Sequence, residues 1–112
     1  MFGLEKKKLP LKPTLFVVNI AGQDYQFAAL SMREWEQHTA AEATALKAED
    51  AGEQLKKVHR QVVVTALAKG GNETSMEDIV EMDVPLFKAI FKAIMEAHGM
   101  KLETKLGEAS PR

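Results

Sequence analysis

The sequence predicts an α+β fold that is mostly helical: an N-terminal β-hairpin packed on a bundle of three to four helices. Three observations predict it. Apolar residues alternate with a period of two only within residues 14–29. After residue 31 they recur at helical spacing instead. A capping residue, a glycine or a proline stands at most of the expected boundaries. The 112 residues suit one domain. Residues 14–99 read as that domain, 1–13 as a basic flexible arm and 100–112 as a mobile polar tail.

In the arm, Lys6, Lys7, Lys8 and Lys12 stand against Glu5, and Pro10 and Pro13 exclude a helix. The hairpin comes next. Phe16, Val18 and Ile20 alternate with Leu15, Val17 and Asn19, and Tyr25, Phe27 and Ala29 alternate with Gln26 and Ala28. Gly22 and Asp24 lie in the gap, where a turn needs permissive residues. A lone hairpin is marginal in water. Phe16, Val18, Ile20, Tyr25 and Phe27 are therefore expected on one face, against the helices.

Ser31 with Glu34 has the capping-box spacing and opens a helix over about 32–48. Its inner side, Met32, Trp35, Thr39, Ala43 and Leu46, is thin after the tryptophan. Gly52 marks a break. A second helix runs over about 53–69 with Leu55, Val58, Val62 and Ala66 as its stripe, and Gly70-Gly71 stops it. Its Val62-Val63-Val64 run leaves a strand open as an alternative, since β-branched residues are poor helix formers. Ser75 with Asp78 caps a short helix near 75–81. Asp83 and Pro85 open the last helix, about 84–98, which ends at His98-Gly99. Phe87, Ile90, Phe91 and Ile94 give it the clearest amphipathic stripe in the chain.

Composition removes several functions. Fifteen bases against sixteen acids give a net charge of −1, which argues against a nucleic-acid binder. With no cysteine there is no disulfide, thiolate metal site or thiol nucleophile. No apolar run approaches the ~20 residues of a membrane helix, and the first 13 residues do not read as a signal peptide. The pattern is that of a small intracellular domain.

Chemistry-bearing constellations are scarce. Ser31 and Ser75 have capping roles, and Ser110 lies in the tail. His38, His59 and His98 fall on three different helices, with no pair at the four-residue spacing of a helical metal site. His98 is expected at a helix C-terminus, where a protonated imidazole meets the dipole favourably. The acids Glu73, Glu77, Asp78, Glu81 and Asp83 lack the order and the glycine of a calcium loop. No phosphate-binding loop is present. The sequence therefore predicts no enzyme, no cofactor and no metal.

Protein contact is the stronger expectation. Val63, Val64 and Leu67 lie roughly 80–180° from Leu55 around the second helix, at about 100° per residue. Ala89, Ala93 and Ala97 recur every four residues along the last helix, with Leu86 on the same side. Two occupants fit these positions: the chain's own first helix and hairpin, or another chain. Lys6, Lys7 and Lys8 at one end, and Glu77, Asp78 and Glu81 further on, are candidate electrostatic docking residues. Separated charges of this kind permit head-to-tail contact between copies.

The strand–turn–strand LFVVNIAGQDYQFAALSMREW runs directly into a capped helix. With the segment SMEDIVEMDVPLFKAIFKAIME and the polar tail, it resembles the tail assembly chaperones of long-tailed (siphovirus-type) bacteriophages or prophages, over residues 14–98. The resemblance implies a non-enzymatic protein that binds the tape measure protein, keeps it soluble and promotes assembly of tail tube protein around it. It implies self-association into a ring or spiral, action in the host cell cytoplasm, absence from the mature virion, no membrane and no nucleic acid. Many such proteins also occur in a longer frameshifted form. No single residue's role is carried over. Two alternatives compete: a structural tail or head-completion protein retained in the virion, and a small phage regulatory DNA-binding protein using Lys56, Lys57 and Arg60.

Overall fold

The computed structural model describes residues 11–100. Lys6, Lys7 and Lys8, most of the expected arm and the tail after Met100 lie outside the described residues. Strands β1 (Leu15–Ile20) and β2 (Gln23–Ala28) form an antiparallel hairpin with Phe16 opposite Phe27 and Val18 opposite Tyr25. This is the face the alternation predicts. The Phe16 and Phe27 rings stack 5.3 Å apart. Ala21 (φ 53°) and Gly22 (φ 83°) make the turn, since a two-residue hairpin loop with the right twist needs positive φ at both central positions. Asn19 braces it: its Nδ2 donates to Asp24 Oδ1 at 2.8 Å and its Oδ1 accepts the Gly22 N–H at 3.3 Å.

Helix α1 (Met32–Leu46) opens on a full capping box, with the Ser31 N–H donating to Glu34 Oε1 at 2.8 Å and the Glu34 N–H to Ser31 Oγ at 3.1 Å. Helix α2 (Ala51–Lys69) starts two residues earlier than expected, and Gly52 lies inside its first turn. The break falls at residues 47–50. A first-turn N–H has no intrahelical acceptor in any case, and Gln54 holds this end by donating to Asp50 Oδ2 at 3.0 Å.

The valine run is helical. Helix α2 packs against α1, β2 and the two later helices, α3 (Met76–Glu81) and α4 (Val84–Ala97). A valine costs a few tenths of a kcal/mol in helix propensity, whereas burying it gives about 1.5–3 kcal/mol. Burial wins. Val63 is 0% exposed and Leu67 5%, both in the core with Phe27, Val62, Ala66, Ile79, Ile90, Ile94 and Met95, while half-buried Val64 packs against it. The expectation that Val63, Val64 and Leu67 face a partner is thus corrected: a helix surrounded by other elements needs a broad apolar arc for its own chain. The alanine side of α4 is turned only partly inward. Leu86, Ala93 and Ala97 lie half-buried against the core, Ala89 is half-buried, and α4 packs on β1.

The end of α2 sits directly on β2. A Cβ on Gly70 would stand 2.5 Å from Phe27 Cα, so only glycine admits this approach. Gln26 Nε2 donates to the Gly70 carbonyl at 2.7 Å, and Asn72 Nδ2 donates to the Gln26 and Leu67 carbonyls at 2.6 and 2.9 Å. Lys69 Nζ, 2.6 Å from Glu34 Oε1, ties α2 to the start of α1. This bond, aided by those from Ser31, holds the Glu34 carboxyl below its ordinary pKa. Ser75 and Asp78 form the capping box of α3, and Asp83 caps α4 by accepting the Leu86 N–H at 2.8 Å. Among the described residues no helix is long and apolar enough to cross a membrane.

Candidate functional site

Helices α1 and α4 both pack on α2 and leave a groove between them. Its walls are Trp35, Thr39 and Glu42 of α1 and Phe91 and Met95 of α4, with His59 of α2 between them and Met100 at one end; it encloses about 280 Å³. A second groove of about 430 Å³, among α2, α3 and α4, shares His59 and Phe91 with the first. The two grooves adjoin at the His59–Phe91 ring pair, a trough beside α4 in two parts. The first groove exists because α1 carries little bulk past Trp35: its only buried residues are His38 and Ala45.

The three histidines that the sequence scatters over three helices meet at this place. Glu42 Oε2 lies 3.0 Å from His59 Nε2, within hydrogen-bond reach, and 3.5 Å from His38 Nε2. His38 is 7% exposed, and its Nε2 makes no hydrogen bond among the described residues. Burial pushes its pKa below the ordinary value. Glu42 opposes that shift. The His59 ring packs on Phe91 at 4.4 Å between centroids, and the His98 ring stacks flat on Trp35 at 5.0 Å.

His98 does not play the charged role expected of it. Its Nε2 accepts the Leu30 N–H at 2.8 Å, so that nitrogen carries no proton, and Nδ1, 2.7 Å from the Ile94 carbonyl, is the donor. The ring is an uncharged bridge. It adds a second bond to the Ile94 carbonyl, which also accepts the His98 backbone N–H at 3.3 Å, and pins the linker between β2 and α1. With both His98 nitrogens occupied, two imidazoles and a carboxylate remain. Among the described residues no group of three side chains is placed to hold a metal ion.

The remaining expected residues separate clearly. Glu77, Asp78 and Glu81 are exposed on α3, and Asp78 Oδ2 is engaged by the Ser75 N–H at 2.9 Å. The hydroxyls of Ser31 and Ser75 are both used in caps. The sequence reading missed the trough. The only local signal for it was the His38–Glu42 spacing of one helical turn. A third, more polar cavity of about 350 Å³ lies between α1 and α2, with Gln37, Gln54, Gln61 and Thr65 in its lining. No protein-family model, curated protein or solved structure matches the chain.

Proposed function

We propose that this chain is a non-enzymatic chaperone of phage tail assembly, which binds apolar helical stripes of the tape measure protein until tail tube subunits replace it. The observation that carries the reading is the trough beside α4. Phe87, Phe91 and Trp35 line it, and it opens past Val80 and Val84, which are 53% and 62% exposed. Such a surface is apolar area that the core has not used. The resemblance noted above supplies the client. In this reading the docking surface moves from the valine and alanine faces to the trough. Each contact is weak, and many copies along one long polymer gain strength from multivalency. The chain works in the host cytoplasm, self-associates in a ring or spiral and leaves before the virion matures.

Co-expression with a phage tape measure protein tests the proposal. The wild-type chain should keep that protein soluble. The double variant Val80→Asp/Val84→Asp should not, while melting like the wild type because both positions are exposed. Equal performance by the variant would defeat the reading, and abundant chain in purified virions would favour the retained structural protein instead.

A further inference from the structure

The end of the trough among α2, α3 and α4 has a charge character that the rest lacks. Lys56, Arg60 and Lys88 line it together with Val80, Val84 and Phe87, and no acid does. Lys56 leans on Glu53 at 3.6 Å. Arg60 and Lys88 have no ion pair among the described residues. We propose that this end takes an acidic amphipathic helix of another protein, with its acids at Arg60 and Lys88 and its apolar side chains on Val80, Val84 and Phe87. The occupant's being a protein segment rests on the chaperone reading; its acidity and helical form rest on the groove.

Two features select this occupant. Charge complementarity is the first: two unpaired cations beside an apolar floor favour a ligand carrying both acids and apolar groups on neighbouring faces. Shape is the second. The α4 residues of this groove run from Val84 to Phe91, about 10 Å at 1.5 Å per residue, so a partner lying alongside them has room for about two turns. Anchors at i, i+3, i+4 and i+7 are how a helix fills a groove between helices.

The test uses three fluorescent 14-residue amphipathic peptides that share one leucine face and carry glutamate, glutamine or lysine on the flanks. Fluorescence anisotropy is read against the whole chain, with a single-stranded oligonucleotide as a fourth probe. The glutamate peptide should bind about tenfold tighter than the glutamine peptide, as expected for two surface ion pairs, and the lysine peptide more weakly still. Lys88→Glu and Arg60→Gln should each remove several-fold of that preference at unchanged melting temperature. Lys92→Glu on the same helix, outside the groove lining, should remove none. Equal binding of the glutamate and glutamine peptides overturns the acid preference and leaves the chaperone reading standing. Failure of all three peptides overturns both. Tighter binding of the oligonucleotide than of any peptide also overturns the proposal.

Discussion

Replacing Val63 with alanine separates the two roles open to the valine face. Val63 is wholly buried, at the middle of a helix that touches α1, β2, α3 and α4. The substitution removes two methyl groups, worth about 1.6 kcal/mol in transfer from water. The cavity left behind raises the total to about 2–3 kcal/mol, since neighbouring elements close it only in part. For a domain of this size each kcal/mol lowers the melting temperature by roughly 4–8 °C, so a fall of about 10–20 °C is expected. Val80→Ala, at an exposed site, should stay within about 0.5 kcal/mol. Urea unfolding followed by circular dichroism at constant protein concentration measures both. A neutral Val63→Ala that weakened self-association would refute the core assignment and return the valines to an interface.

Other perturbations follow from the same packing. Gly70→Ala should cost more than about 2 kcal/mol, because the new methyl meets Phe27 and Gln26 backbone that cannot give way. A melting temperature equal to wild type would contradict that approach. His98→Phe keeps an aromatic ring for Trp35 but strands the Leu30 N–H, and should cost about 1–3 kcal/mol in the same assay. Acid should weaken the fold through His38. Its folded pKa lies below the ordinary value, so the unfolded chain binds more protons between the two. The contribution is fully present above about pH 6.5 and is lost as pH falls through the folded value. Urea midpoints at about pH 7.5 and pH 5.5 should therefore differ more for wild type than for His38→Gln. Equal differences would mean that this ring does not drive the effect.

What was legible in the sequence is what neighbouring residues encode. The hairpin's inner face is written in its alternation. The starts of α1, α3 and α4 are written in Ser31, Ser75 and Asp83, and Gly70-Gly71 marks the end of α2. Gly52 misled because a glycine in a first helical turn resembles one in a break. The buried part of the valine face misled for a different reason. Periodicity shows how wide an apolar arc is, and it does not show whether the neighbour across it belongs to the same chain. The part of the trough beside α1 was illegible because it is made by what α1 lacks: past Trp35 that helix offers mostly alanine and threonine where α4 offers Phe91 and Met95. His38, His59 and His98 converge only once three helices have packed. His98 looked like a charged helix end because its second partner, the Leu30 amide, is remote in sequence.

Methyl NMR during titration of the isotope-labelled chain with the glutamate-flanked helix tests the central claim most directly. The Val80 and Val84 methyls should shift first and most, while those of Leu15 and Val17, equally exposed on the outer face of β1, stay still. Movement at Leu15 and Val17 with silence at Val80 and Val84 would place the binding surface on the hairpin and contradict the account.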